Sequence, residues 1–454
     1  MMNKYAIIMA AGKGTRMKSK RDEMSKVSFP ILGRPMVKYV LEALRPLGFN
    51  EIVTIVGFGG KMTEEIVTPT SKVVWQKEQK GTGHAVMMTS ALLKDKKGET
   101  IICCGDTPLL TCETLSSLLK EHEENNNDLT ILTSIMDNPK GYGRIVKENG
   151  KVIKIVEQKD CSEEEALIKE VNAGVYVFDN EELFKDLERL TPNNAAGEYY
   201  LTDVIGMFVN DGKRVCSFSI TDVDETMGVN DRYHLSIAAK KIQQRINKNL
   251  MLSGVTIEDP DSTYISPDSS VGVDCTIRPN THILKGSKIG EGNIIGPSTY
   301  LENAIIENDN EIIFSNIKDS TIGNRVKIGP YSNIRNNSKI EDGAVIGNFN
   351  ELKNTTLGPS SKCCHLSYLG DAEIKGNVNI GASVITANFD GKEKHKTLIE
   401  ENTFVGCSST LVAPLTLGKD SFVAAGSVIT KDVPSSSLSI ARERQINKEN
   451  YFKK

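Results

Sequence analysis

VGVDCTIRPNTHILKGSKIGEGNIIGPSTYL, residues 271–301, has an aliphatic side chain at every sixth position: Val271, Ile277, Ile283, Ile289, Ile295 and Leu301. The spacing returns at Ile322, Ile328, Ile334, Ile340, Ile346 and Leu352. It fits neither the roughly 3.6-residue period of an amphipathic helix nor the roughly 2-residue period of a half-buried strand. It fits a parallel β-helix of hexapeptide repeats, in which each short strand stacks one aliphatic side chain on its equivalents in the coils above and below. One coil cannot bury its own apolar face, so several must stack. Glycine follows in Ile289-Gly290, Ile295-Gly296, Ile322-Gly323, Ile328-Gly329, Ile346-Gly347, Ile380-Gly381 and Leu417-Gly418. Each pair reads as a corner where a residue without Cβ lets the backbone turn tightly.

The repeat is interrupted in three places: between Leu301 and Ile322, around Leu357 to Ile374, and between Ile380 and Val405, where Thr386 to Lys396 intervenes. A solenoid accommodates insertions as loops leaving the coil, and such loops often carry the binding face. The last one, bearing glycine and lysines, is suited to reach a neighbouring chain or to close over an anion.

A chain of 454 residues exceeds one ordinary domain of roughly 150 residues. The repeat divides it into a domain over 1–230, a linker helix over 231–252 and a β-helix over 253–454. The linker follows from Leu235, Ala238, Ala239, Ile242 and Ile246 at helical spacing, and would span about 30 Å. A net charge of −4 without a long basic run argues against a nucleic-acid or anionic-membrane binder and for small ligands. No apolar run approaches the roughly 18 residues of a membrane span, and Met1-Met2-Asn3-Lys4-Tyr5 leads into a strand instead of a signal sequence. A cytoplasmic protein is expected. Nine cysteines without a Cys-x-x-Cys motif read as free thiols, mostly small buried apolar side chains.

In the first domain, Ala6 to Ala10, Ile52 to Val56 and Thr100 to Cys104 read as buried strands alternating with helical patterns at Val37–Leu47 and Thr82–Leu93. That alternation predicts a doubly wound α/β sheet, whose ligands sit at the carboxyl ends of the strands. Three polar segments fall there: Ala11-Gly12-Lys13-Gly14-Thr15-Arg16-Met17, Gln76 to His84, and Gly105-Asp106. The first is a glycine-rich loop able to approach phosphates, with Arg16 and Lys26 as neutralising charges, yet it is neither a Gly-x-Gly-x-x-Gly nor a Walker motif. Asp106 directly after a strand suits either a magnesium ligand or a turn and helix-cap aspartate.

Together, Ala10 to Met17, Lys26, Gln76 with Gly81-Thr82-Gly83-His84-Ala85, Gly105-Asp106, Gly141 to Ile145 and Gly197 to Asp203 resemble the sugar-nucleotide uridylyltransferases. With the hexapeptide domain behind them, essentially the whole chain resembles the bacterial bifunctional N-acetylglucosamine-1-phosphate uridylyltransferase/glucosamine-1-phosphate acetyltransferase family. The resemblance implies a nucleotidyltransferase-type sheet domain followed by a left-handed parallel β-helix, and a homotrimer with acetyltransferase sites between subunits. It assigns Ala11, Gly12, Gln76, Gly81 and Thr82 to uridine, and Gly143, Glu157, Asn172 and Thr202 to N-acetylglucosamine. Asp106 and Asn230 would hold Mg2+, with Asn230 also at the nucleotide, and Arg16 and Lys26 would neutralise phosphates during attack on UTP. In the β-helix it implies His365 as general base, because acyl transfer to an ammonium first needs a proton removed, with Glu351 to orient or polarise it. Arg335, Lys353, Tyr368, Asn379 and Lys394 would bind glucosamine-1-phosphate, and Ala382, Asn388, Phe389, Cys407, Ala425 and Arg442 acetyl-CoA or the reacting amine.

Five positions depart from the family. Ser25 replaces the usual proline before Lys26, which predicts a freer loop. Asn336-Asn337 replaces Pro-Gly, Phe389 a frequent tyrosine, and Cys407 a common serine. The alternative is a monofunctional nucleotidyltransferase whose β-helix only assembles or regulates; His365, Tyr368 and the loop with Asn388 and Lys394 argue against it.

Overall fold

A computed structural model describes residues 3–20 and 24–452, so Met1 and Met2, at the expected lead into the first strand, lie outside the described residues. The chain forms two compact units, Met1–Ile242 and Gln243–Lys454, and the Arg232–Leu252 helix contributes to both. No described helix is long and apolar enough to cross a membrane.

The main sheet of the first unit has the strand order Val215–Ile220, Leu129–Ile135, Glu170–Asp179, Glu99–Cys104, Lys4–Ala10, Glu51–Val56 and Lys72–Trp75. Neighbours are parallel except Glu170–Asp179, which runs antiparallel to both of its neighbours. Both faces are covered: Ile7, Val53, Ile55 and Ile102 enter one core, and Ala6, Ile8, Ile101 and Cys103 the other. This two-sided burial is why these strands read as unbroken apolar runs.

The expected helices form with breaks. Met36–Leu44 is α-helical and then tightens into a 3-10 turn over Arg45–Leu47, where Pro46 lacks the N–H to extend the ladder. Thr82–Leu93 divides into Thr82–Met87 and Ser90–Leu93, with the Thr89 and Ser90 hydroxyls donating to the carbonyls of Val86 and Met87.

The second unit is a parallel β-helix, with an eleven-stranded sheet and a seventeen-stranded sheet that folds around two faces. Ile277 pairs with Ile295 18 residues on, which is three hexapeptides per coil. The next pairs, Ile295 with Ile312 and Ile312 with Ile328, are 17 and 16 residues apart. These short coils explain the irregular stretch after Leu301: corner residues are missing, and Tyr300–Ile306 and Asn316–Ile322 each run as one strand across two faces. The core stays continuous, with Ile306, Ile312 and Ile317 all buried.

The corner glycines have mostly a different cause from the expected one. Gly290, Gly323, Gly347, Gly381 and Gly418 are not left-handed; among the quoted pairs only Gly296 and Gly329 are. Their constraint is the next coil: a Cβ on Gly347 would lie 1.9 Å from the carbonyl oxygen of Cys364. The left-handed corner positions fall instead to residues such as Asn280, Asn303, Asp319, Asn354 and Asp371, whose short polar side chains tolerate that conformation.

Candidate functional sites

The carboxyl ends of the strands in the first unit open on a cleft of about 450 Å³ lined by Ala11 to Arg16, Lys26, Gln76, Gly81, Thr82, Asp106 and Asn230. Thus the three polar segments meet, as the sheet topology requires. Gly105 N–H donates to Met9 O, and Val229 N–H to Asp106 O, drawing the distant Asn230 beside the strand end. Lys26 Nζ is ion-paired with Asp106 Oδ2 and lies 3.4 Å from Asn230 Oδ1, which also accepts from Arg16 Nη2 at 2.9 Å. One cation therefore already reaches both oxygens assigned to Mg2+. Mg2+ fits such a pair, because it takes few protein oxygens and completes its shell with substrate phosphates and water. Among the described residues no cluster of three or more His, Cys, Asp or Glu offers a fuller metal cage.

Gln76 is buried, and its Nε2 donates to Gly81 O at 3.0 Å and contacts His84 Nδ1 at 3.0 Å. Both amide hydrogens are thereby committed, which leaves the amide oxygen as the acceptor of this side chain. Desolvation, followed by the Lys80 charge, holds His84 below its ordinary pKa, so the neutral ring presents an acceptor to the amide. Gly81 has φ +108, and a Cβ there would lie 2.4 Å from Tyr199 O. Thr82 Oγ1 accepts from Leu201 N–H at 3.0 Å.

The four residues assigned to the sugar meet in pairs. Asn172 N–H donates to Gly143 O, and Thr202 Oγ1 donates to Glu157 Oε1 at 3.1 Å. Burial raises the Glu157 carboxyl above its usual pKa, while the Thr202 bond pulls the other way. Cys104 joins the two regions: burial pushes its thiol up to about 12, and both Asp106 and Glu157 act on it.

Ser25 does not loosen the loop before Lys26. Its φ is −68°, within the range a proline ring imposes, and its hydroxyl bonds to Ser28 Oγ at 3.0 Å and Thr63 Oγ1 at 2.6 Å. The expectation of a freer loop is corrected by these buried bonds.

In the β-helix, His365 is exposed, with Nδ1 3.1 Å from Asn348 Oδ1, its register partner one coil below. Glu351 is not the partner of this imidazole within the chain. It pairs in register with Asn333 and Tyr368 on another face, and its Oε1 accepts from Arg335 Nε at 2.9 Å and Nη2 at 2.7 Å. The register of a solenoid selects partners by coil and face, and within one chain it gives Glu351 to Arg335 and His365 to Asn348.

The pairs Cys363↔Ile380, Ile380↔Val405 and Val405↔Val423 place His365, Ala382, Cys407 and Ala425 in one column along a corner. At about 4.8 Å per coil the column is about 14 Å long. Arg442 reaches its far end, with Cδ 4.0 Å from the position of a Cβ on Gly426. Asn379 stands apart on the neighbouring sheet face, between Lys362 and Phe404. Around the adjoining face, Asn354 Nδ2 donates to Asp371 Oδ1 at 2.6 Å, and Asn388 Nδ2 bonds the other oxygen. Burial opposes ionisation of Asp371, but those bonds and the Lys353 and Lys394 charges hold its carboxyl below the ordinary value. Lys353 in turn pushes the Lys394 ammonium down, while the nearby Asp371 charge pulls it up. The inserted loop is a small hairpin: Phe389 bridges Lys394, Asp390 Oδ1 accepts from the N–H of Lys392 and Glu393, and Phe389 is exposed. Asn336 and Asn337 are both left-handed, at φ +56° and +61°, so this corner takes a course that proline at 336 would forbid.

Residues 5–225 match the nucleotidyl transferase family and residues 319–354 the bacterial transferase hexapeptide (six repeats) family. The chain is 49% identical over 452 residues to the bifunctional protein GlmU of Geobacillus sp. (strain WCH70), covering 99% of this chain and 98% of that protein. It is 48% identical to the bifunctional protein GlmU of Halalkalibacterium halodurans, over 100% and 99% of the two chains. The chain belongs to the bifunctional GlmU family. As a GlmU-family transferase it joins a nucleotidyltransferase unit to a hexapeptide acyltransferase unit. Asn348, Asn354, Gly370 and Asp371 escaped the reading of the sequence. Gly370 has a tertiary signal only: a Cβ there would lie 2.5 Å from Tyr368 Oη and 2.7 Å from Asn388 Nδ2.

Proposed function

We infer that the two sites make UDP-N-acetylglucosamine in series, the β-helix supplying N-acetylglucosamine-1-phosphate to the first unit. The observation that carries this reading is one chain holding both the cleft of about 450 Å³ around Lys26, Asp106 and Asn230 and the corner column that begins at His365.

In acetyl transfer, Lys353 and Lys394 attract the phosphate of glucosamine-1-phosphate, with Arg335 and Tyr368 on the same sheet beside them and Asn379, which lies on another face of its own chain, contributed by a second copy. The column of small residues from Ala382 to Ala425 accepts the extended arm of acetyl-CoA, with Arg442 toward its phosphates and Asn388 and Phe389 near the reacting amine. Asn348 holds His365 Nδ1–H, leaving Nε2 to take the proton of the sugar ammonium. The freed amine attacks the thioester carbonyl, and coenzyme A leaves as the thiol.

In uridylyl transfer, the Gln76 amide and the backbone at Ala11, Gly12, Gly81 and Thr82 hold the uridine, while Gly143, Glu157, Asn172 and Thr202 hold the sugar. A phosphate oxygen of N-acetylglucosamine-1-phosphate attacks the α-phosphorus of UTP and pyrophosphate leaves. Arg16 and Lys26 neutralise the charge that accumulates, and no protein nucleophile is needed. Mg2+, held by Asp106 and Asn230, would screen the same phosphates.

An apolar ladder beside His365 supports assembly into a homotrimer. Phe314, Tyr331 and Phe349 stack along the corner that continues to Leu366, with ring centroids 5.6 and 5.4 Å apart. Tyr331, Phe349 and Leu366 are more than half exposed, and all four residues are left-handed despite their bulk. Such a strained apolar edge suits packing against a second copy, which would complete the acetyltransferase site. The substrates and nine free cysteines suit the cytoplasm.

The test runs two assays on one preparation: thiol release from acetyl-CoA with glucosamine-1-phosphate, and Mg2+-dependent pyrophosphate release from UTP with N-acetylglucosamine-1-phosphate. Both are expected. Absence of thiol release would reduce the β-helix to an assembly domain, and a monomer by sedimentation would remove the intersubunit site.

A further inference from the structure

We propose that Ser25, Ser28 and Thr63 form a buried ring of hydroxyls that positions Lys26 for uridylyl transfer, replacing by hydrogen bonding the constraint a proline at 25 would supply. The proposal rests on the reading of Lys26 as a phosphate-neutralising residue.

The ring closes on itself: Ser25 Oγ to Thr63 Oγ1 is 2.6 Å, Thr63 Oγ1 to Ser28 Oγ 2.8 Å, and Ser28 Oγ to Ser25 Oγ 3.0 Å. A hydroxyl donates once, so three of them satisfy one another in a cycle. All three residues are at most 3% exposed, so water is a poor substitute for a lost member. Ser25 and Ser28 bracket the one-turn 3-10 helix Lys26–Ser28, closed by Ser28 N–H donating to Ser25 O at 3.1 Å. Thr63 belongs to the Gly60–Val67 helix, which follows the Glu51–Val56 strand. The ring therefore ties both ends of the turn carrying Lys26 to a separate element of the sheet domain.

The opposite side of Lys26 is restrained as well. Gly14, at φ +60, lies so close that a Cβ there would be 2.7 Å from Lys26 Cβ. With its backbone between Gly14 and the ring, Lys26 directs Nζ to Asp106 and Asn230. None of the three hydroxyl residues lines the nucleotide cleft, so they are positioning residues that act through Lys26.

The experiment measures kcat and KM for UTP on the full chain, with acetyl transfer by the same preparation reporting on its integrity. Ser25→Ala and Thr63→Val should each lower uridylyl kcat about 5- to 10-fold with KM nearly unchanged, as expected for displacement of a group used in the transition state. Ser25→Pro, compatible with the observed φ, should recover most of the rate lost by Ser25→Ala. In a Lys26→Gln background, Ser25→Ala should cost nothing further. Equal losses in both backgrounds, or a Ser25→Ala enzyme with unaltered kcat, would overturn the positioning role. Full activity of Lys26→Gln alone would instead remove the underlying reading of Lys26, and the ring's role with it.

Discussion

Replacing Gly81 by alanine asks whether the backbone of the uridine loop is as constrained as its geometry implies. Gly81 has φ +108° and ψ 174°, a region that side-chain-bearing residues almost never occupy, at a cost of about 1–3 kcal/mol. The new Cβ would also meet Tyr199 O at 2.4 Å and Tyr199 N at 2.9 Å, both backbone atoms that cannot rotate away. An ordinary C···O approach is about 3.3 Å, so the loop must move by nearly 1 Å to relieve the overlap. Gly81 O also orients the Gln76 amide, so the displacement carries with it the side chain proposed to hold the uridine. A loss of about 2–3 kcal/mol from these causes corresponds to a fall of about 30- to 150-fold in kcat/KM for UTP. Pyrophosphate release measured against UTP concentration reads that change, while thiol release by the same protein should stay at the parent value. A kcat/KM within threefold of the parent would refute the reasoning, since a loop able to absorb this Cβ cannot be holding Gln76 rigidly.

Four further substitutions test the site assignment and the stability of the fold. His365→Ala should abolish acetyl transfer and spare uridylyl transfer, Asp106→Ala should do the reverse, and loss of both activities from either change in folded protein would contradict independent sites. Asn348→Ala, which frees Nδ1 of His365 to change tautomer, should lower acetyl-transfer kcat about tenfold with KM little altered; an unchanged rate would mean the imidazole is oriented by something else. Glu99 is buried at the start of its strand, and desolvation followed by the Glu123 charge raises its carboxyl from 4.5 to about 7. Below pH 4.5 the folded and unfolded chains both hold this proton; between 4.5 and about 7 only the folded chain keeps it, so stability falls as pH rises through that window, by at most about 3 kcal/mol. Glu99→Gln should therefore be the more stable protein at pH 8 and close to the parent near pH 4.5; parallel melting curves at the two pH values would dismiss the effect.

Much of this architecture was legible without coordinates, and for a physical reason. Stacked coils repeat one environment, so the six-residue aliphatic period writes the β-helix core directly into the chain, and two-sided burial writes the strands of the first unit as apolar runs. The polar segments after those strands could be assigned to one cleft because strand ends in such sheets face a common crevice. What the sequence did not contain was which side chains finally touch. His365 takes Asn348 and Glu351 takes Arg335 because coil register, set by single missing corner residues, decides who stands above whom. Most of the corner glycines proved necessary for the approach of the next coil, a distance no local reading holds. Ser25 marks the boundary most clearly: alone it reads as a lost proline and a freer loop, and only the arrival of Ser28 and Thr63 within hydrogen-bonding distance turns it into a fixed point. Periodic burial is a property of a segment and survives in the sequence, whereas a closed hydrogen-bond ring joins positions 38 residues apart and exists only once the chain has folded.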